Sequence, residues 1–447
     1  MNPSLALARF VIEHQSSQLP QNARHDAVRS FLNWMGCAVG ASRHETTERA
    51  LAALAPFSGP PEATVLGRTE RLDIMHAALI NGIASHTFDF DDTHLKTVIH
   101  PSGPVASAVL ALAERLPVSG EAFLHAFILG VEVECRIGNA VYPEHYDVGW
   151  HITGTAGVFG AAAATGRLLG LTEQQMVWAL GLAATQASGL REMFGTMSKP
   201  FHPGNAARNG LLAALLAQRD FTSSDQGIEA KRGFANVLST RFKPEEITER
   251  LGKTWEISLN TFKPFACGIV IHPIIDACIQ LRNSPGFDVE AVEGVEAKVH
   301  PLVLELTGKK TPTAGLEGKF SVYHSAAVAL LHGAAGEAEY SDTCVRDPRV
   351  IALRDRVSAQ VEAGLHEDQA RVSIRMRGGA RIETFVEHAI GSLERPMSDA
   401  DLEQKFRGLA AGVLPDRQIE QLIRLCWDLG TLDNAAHVAL ASVPQGA

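Results

Sequence analysis

Runs of small residues constrain this chain most. Gly160-Ala161-Ala162-Ala163-Ala164 and Ala183-Ala184-Thr185-Gln186-Ala187-Ser188-Gly189 lie in segments with helical spacing. Helices that meet through glycine and alanine approach closely, so the first 260 residues are expected to pack as a tight helical body. Other signals in this stretch agree. Phe123 to Val133 is compact and apolar. Thr172 with Gln175 three positions later forms a capping-box pattern, followed by Met176, Leu180, Ala183 and Ala184 at helical spacing.

The texture changes near Lys263. Val292 to Leu304 is β-rich, and Ser321 to Leu331 is apolar and helix-like. Val372, Ile374 and Met376 alternate with Ser373, Arg375 and Arg377. Gly378-Gly379 then supplies a turn before Arg381 to Val386 returns, a hairpin pattern. Ser398 to Leu429 is helical again, with Ser398 as a cap. The expected fold is mainly α. Both chain ends, 1–260 and 391–447, form a large all-helical domain, and 261–390 form a smaller α+β lid domain. No solenoid repeat or low-complexity segment interrupts this reading.

Several function classes are disfavoured at once. Acidic residues outnumber basic ones 50 to 40, for a net charge of −10, and no basic stripe stands out, so no nucleic-acid partner is expected. The apolar runs are too short and interrupted to span a bilayer, and the first residues lack a signal-peptide pattern. The six cysteines are dispersed without a C-x-x-C pair. That spacing disfavours zinc ribbons, thiolate-held iron–sulfur clusters and disulfide frameworks, and makes a reducing, cytoplasmic setting the default.

Three clusters carry candidate chemistry. Asp89-Phe90-Asp91-Asp92-Thr93-His94 is followed by His100-Pro101-Ser102-Gly103-Pro104. Three carboxylates within four positions repel one another. They are placed to orient a histidine, to hold a metal, or simply to form a solvated helix end. His100 sits at the entrance of an apolar helix, where backbone N–H groups favour anions. The second cluster runs from Tyr142 to Gly154 and contains Glu144, His145, Tyr146, Asp147 and His151, just before the small-residue helix. The third is a repeated Lys-Pro-Phe, at Lys199-Pro200-Phe201-His202 and at Lys263-Pro264-Phe265. Proline disfavours helical geometry in the residue before it, so both lysines are expected on extended backbone. Cations, histidines and helix N-termini are the components of a polycarboxylate pocket.

Asn81-Gly82-Ile83-Ala84-Ser85-His86, running into Asp89-Phe90-Asp91-Asp92-Thr93 and His100-Pro101-Ser102-Gly103, resembles the signature stretch of the MmgE/PrpD family. Gly149-Trp150-His151, Lys199-Pro200-Phe201-His202, Lys263-Pro264-Phe265-Ala266-Cys267-Gly268 and Gly318-Lys319-Phe320-Ser321 follow in the same order. The family includes 2-methylcitrate dehydratase, cis-aconitate decarboxylase and iminodisuccinate epimerase. The resemblance implies a homodimer that needs no cofactor or metal and acts on a small di- or tricarboxylate. It points to Asp89, Thr93, His100, His151, Lys199 and Lys263 as pocket residues. The chain departs from the decarboxylase pattern in a longer Thr93–His100 segment, in Cys267-Gly268, and at His324, which stands with Tyr323 where a pocket tyrosine is expected. These departures favour dehydration, or epimerisation, over decarboxylation.

The expected roles are then specific. His100 and His151 move the proton, Asp89 orients one of them, and Tyr146 is the reserve acid–base group. Lys199 and Lys263 converge from opposite sides of an interdomain cleft onto the substrate, with Thr93, His202 and His324 as further contacts. Two rival readings are a magnesium-dependent helical isoprenoid synthase, which lacks its second acidic motif here, and a non-enzymatic helical binding protein.

Overall fold

The computed structural model describes residues 2–445. The chain is mainly α, and its long helices have the boundaries their side chains dictate. Ser119 caps Gly120–Val141. Thr172 and Gln175 exchange both bonds of a capping box at Glu173–Ala184, and Ser398 and Asp401 do the same at Asp399–Ala410. Among the described residues no helix is long and apolar enough to cross a membrane.

One large apolar core takes residues from Leu7 to Phe262 and again from Met397 to Ala439, with a side core of Leu51 to Leu211 beneath it. A second core runs from Phe265 to Ala389 and is joined by Cys37 and Phe90. Its sheet has four strands in the order Val357–Val361, Val292–Val299, Ala370–Met376, Arg381–Val386. The first pair is parallel and the others antiparallel, with Ile374 opposite Ile382 across the expected hairpin. Helices His272–Arg282 and Val322–His332 cover the sheet.

Two local expectations are corrected. The β-rich stretch does not reach Leu304. The strand stops at Val299, and His300 caps a helix at Pro301–Thr307 in which Pro301 takes the first turn, where a missing N–H costs nothing. Lys199 is not on extended backbone either. It lies in the first turn of Ser198–Ala217, which tolerates Pro200 for the same reason and even contains Pro203.

The small residues set the helix spacing. A Cβ added to Gly210 would stand 2.5 Å from the Cβ of Ala161, so Ser198–Ala217 lies directly on the alanine run of Ile152–Leu168. A Cβ on Gly82 would stand 2.5 Å from the Cα of Gly204, and one on Gly204 would stand 2.3 Å from the Leu79 carbonyl oxygen. Helix Ile74–Thr87 therefore crosses Ser198–Ala217 backbone to backbone. The first of these helices leads into the acidic cluster and the second begins at Lys199, so this crossing brings the two motifs together.

Gly204→Ala is expected to destabilise the protein by about 1–3 kcal/mol, the usual cost of overpacking. Gly408→Ala, at a helical position with nothing within 4 Å, should be neutral or stabilising. Urea midpoints measured at an unchanged slope test both.

Candidate active site

The acidic cluster is not a solvated helix end. Asp89 is 3% exposed, and Asp91 and Asp92 are fully buried. Helix Ile74–Thr87 ends at Phe88, and Asp89 takes a left-handed conformation with φ 51°. The chain then enters a two-residue strand, Thr93–His94, which pairs antiparallel with Asn260–Thr261. Thr93 is opposite Thr261 in that ladder, so the residues preceding Thr93 run alongside those following Thr261. Lys263 arrives beside Asp89 in this way.

Both lysines converge as expected, but on a protein carboxylate. The Asp89 Oδ1 accepts from Lys263 Nζ at 2.7 Å and lies 3.0 Å from Lys199 Nζ, while Lys263 Nζ also donates to the Asp89 carbonyl at 3.0 Å. Burial opposes a charge on Asp89, yet the two ammonium groups outweigh it and hold its carboxyl well below the ordinary range. Burial lowers the Lys199 amine despite Asp89. Asp89 Oδ2 is buried without a hydrogen-bond partner.

The three carboxylates avoid mutual repulsion by taking different partners. Asp91 Oδ2 faces His86 Nδ1 at 2.7 Å, and its Oδ1 is 3.5 Å from His100 Nδ1. Burial opposes its ionisation, but His86 and His100 hold its pKa below the ordinary range. Asp92 accepts from Ser102 Oγ at 2.6 Å and from the Asn260 side chain. Burial and the charge of Asp91 push Asp92 up to about 7, so the third carboxyl shares a proton near neutral pH.

His100 Nδ1 lies 2.8 Å from the Asp92 backbone carbonyl, a group that only accepts. The hydrogen-bond network therefore assigns the ring proton to Nδ1 and leaves a lone pair on Nε2. Thr93 Oγ1 is 3.3 Å from the same nitrogen, and the His100 backbone N–H donates to Thr153 Oγ1 at 3.1 Å. Burial holds the His100 pKa well below the ordinary histidine value against the pull of Asp91. His151, the residue preceding helix Ile152–Leu168, shares a hydrogen bond with His202 between their Nδ1 atoms at 2.9 Å. Burial and Lys199 push His151 well down as well. His86 lies against both rings, with centroids 4.7 Å from His100 and 5.7 Å from His151.

Asp89, His100, Tyr146, His151, Lys199 and Lys263 line one cavity of about 40 Å³, which Phe194, Gly268, Ile269, Leu306, Thr307 and Phe320 complete. Val98, Ile269 and Val270 border this cavity and also a cleft of about 490 Å³ beside it. Val98 has φ 52°, a genuine outlier for a β-branched residue. The cavity thus takes walls from both apolar cores.

Several side chains lie elsewhere than expected. Asp89 lies between the lysines, and the carboxylate that faces the histidines is Asp91. Thr93 and His202 support His100 and His151 from behind the wall. His324 is elsewhere: its Nε2 bonds the Glu339 carbonyl at 2.8 Å and its ring packs on Tyr340. Its place in the sequence beside Tyr323 carried no information about which way the helix would turn it. His86 closes the Asn81–His86 stretch of the family motif, and the sequence assigns it no partner. Its signal was a histidine at the end of an apolar helix, five residues before Asp91. Ligand atoms of His86, Asp91 and His100 lie within 4.8 Å of one another, but Asp91 Oδ2 and His86 Nδ1 bond each other and His100 Nδ1 bonds a carbonyl. The aspartates that suggested a magnesium site are committed to lysine, histidine, serine and asparagine.

Comparison with known proteins adds an independent finding. The N-terminal domain model of the MmgE/PrpD family matches residues 5–247, and its C-terminal domain model matches residues 265–429. Cis-aconitate decarboxylase of Aspergillus terreus is 28% identical over 446 residues, covering 93% of this chain and 91% of that protein. The human cis-aconitate decarboxylase is 28% identical over 398 residues, covering 85% and 82%. The 2-methylcitrate dehydratase of Cupriavidus necator is 24% identical over 467 residues, covering 97% and 95%.

Asp89→Asn leaves two buried ammonium groups facing each other without their counter-charge. The variant should lose about 3–5 kcal/mol of stability at neutral pH, the scale for breaking a buried ion pair from one side. Because the folded pKa of Asp89 is depressed, its stabilisation is present above the unfolded value and fades as pH falls through the folded one. Stability curves of wild type and variant, followed by denaturant unfolding, should therefore converge only in acid.

Proposed function

The chain belongs to the MmgE/PrpD family, and from that premise we propose that it is a lyase that removes a proton beside a carboxylate of a small polycarboxylic acid, in the manner of a 2-methylcitrate dehydratase. The observation that carries this reading is the pairing, on one small cavity, of a neutral histidine base with two buried lysines.

His100 Nε2 takes the proton from the carbon next to a carboxylate. The C–H electron pair becomes a carbon–carbon double bond, and the neighbouring C–O bond breaks. The departing hydroxide needs a proton to leave as water. Lys199, an ammonium whose pKa burial lowers, is suited to give it, whereas His151 is held neutral. Charge building on the substrate carboxylate is met by the Lys263 ammonium, which needs no reorganisation at the moment of reaction. Metal and organic cofactors have no step in this scheme. Decarboxylation is the second reading, and the higher identity to the cis-aconitate decarboxylases favours it.

A cavity of about 40 Å³ holds a few waters. Small-molecule pockets are typically ~300–1,000 Å³. We therefore take the 261–390 segment to act as a lid that opens for the substrate and closes over it, with entry through the neighbouring cleft. The homodimer belongs to the same reading, and sedimentation of the purified protein tests it.

Incubation with citrate, 2-methylcitrate, the aconitates and iminodisuccinate in deuterated water, read by NMR, should show deuterium entering next to a carboxylate together with loss or gain of water. Absence of exchange with every one of these acids would overturn the reading. His100→Ala should cost about 10²-fold or more in turnover. EDTA-treated, dialysed enzyme should retain its rate.

The pH profile has a defined sign. Protonating His100 removes the base, and its pKa in the fold lies below the ordinary 6.5. The acid limb of kcat/KM should therefore stay flat through pH 6.5 and fall only below it. A midpoint above that value that persists in Asp92→Asn, which removes the carboxyl raised to about 7, would remove His100 as the base.

A further inference from the structure

Asp89 is held in place through the carbonyls on either side of it. Lys319 Nζ donates to the Phe88 carbonyl at 2.7 Å and to the Ala266 carbonyl at 2.8 Å, and pairs with Glu337 Oε1 at 2.6 Å. Lys405 Nζ donates to the Phe90 carbonyl at 2.6 Å, to the Lys263 carbonyl at 2.9 Å and to Asn33 Oδ1 at 2.7 Å. The Lys405 ammonium also sits 3.8 Å from the centre of the Phe90 ring. Each ammonium therefore bridges the 88–90 turn to the 263–266 segment, the two stretches whose side chains meet as Asp89 and Lys263. Neither lysine lines the catalytic cavity.

We infer that Lys319 and Lys405 are positioning residues that hold Asp89 in its left-handed turn and so aim its carboxylate between Lys199 and Lys263. A non-glycine residue at positive φ persists only where its surroundings over-determine it. Here two charge-assisted bonds grip the peptide on both sides of the strained residue. The origins of the two lysines matter. Lys319 comes from the second core region, just after Gly315–Gly318, and Lys405 from helix Asp399–Ala410 in the C-terminal stretch. The site is completed only when both distant segments have docked, so closure of the 261–390 segment and the aim of Asp89 are one event. The inference rests on the proposed place of Asp89 in the catalytic centre.

Lys319→Met and Lys405→Met keep the apolar stem and remove the donors. Each should lower kcat by about 10- to 10²-fold, the scale for a misaimed catalytic group. The discriminating measurement is a double-mutant cycle with Asp89→Asn, followed by residual deuterium exchange. If the lysines act through Asp89, adding either Met substitution to Asp89→Asn costs nothing further. Additive losses mean a general structural role and overturn the inference. Should a Met variant fail to fold, Lys319→Arg and Lys405→Arg carry the same cycle, because a guanidinium cannot place one nitrogen between all three acceptors. A crystal structure of the folded variants gives a reading that needs no turnover. Asp89 leaving the left-handed region supports the inference, and Asp89 unmoved between Lys199 and Lys263 overturns it. Wild-type enzyme inert toward every polycarboxylate would instead sink the proposed function, and the crystallographic comparison would still decide the role of the lysines.

Discussion

The arrangement depends on one buried ion triplet, Lys199–Asp89–Lys263. A lone carboxylate or ammonium at these depths would lose several kcal/mol of solvation that nothing repays. Together the three groups carry a net charge of +1, which the nearby Asp91 carboxylate offsets. Asp89 keeps two like charges close together, and its own left-handed backbone is the strain that this geometry requires.

Charge is then distributed by partner choice. Asp89 takes the lysines and Asp91 takes His86 and His100, while Asp92, left with serine and asparagine, is raised to about 7. The same burial that raises Asp92 lowers the histidines, so His100 and His151 stay neutral at neutral pH. Opposite shifts in neighbouring acids and bases are a common mark of catalytic sites, and here they arise from one cause, exclusion of water.

The helical scaffold supplies the precision. Gly82 against Gly204, and Gly210 against Ala161, bring backbones into contact, and the loop of Asp89 and the first turn holding Lys199 are carried on those helices. Backbone contact leaves little room for relative motion, as suits a site whose groups must keep distances near 3 Å. Among the other wall residues, Ile269 and Val270 pack with the second core and Leu306 with both cores, so the cavity is closed by two units of packing.

Local features were legible in the sequence because their physics is local. The capping pairs Thr172–Gln175 and Ser398–Asp401, the hairpin about Gly378-Gly379 and the small-residue helices each follow from a few adjacent side chains. The cluster membership of Asp89, His100, His151, Lys199 and Lys263 was legible too, since unusual residue types at helix entrances mark such sites. The sequence did not reveal partners. That Asp89 would bind the lysines and Asp91 the histidines, that Lys319 and Lys405 would hold the turn from 231 and 315 residues away, and that His324 would face Glu339 all depend on segments distant in the chain. Composition and periodicity therefore determined a mainly helical body, an α+β portion and a set of titratable candidates. Only the tertiary structure decided which carboxylate meets which cation, because burial makes that pairing worth several kcal/mol and nothing in the local sequence encodes it.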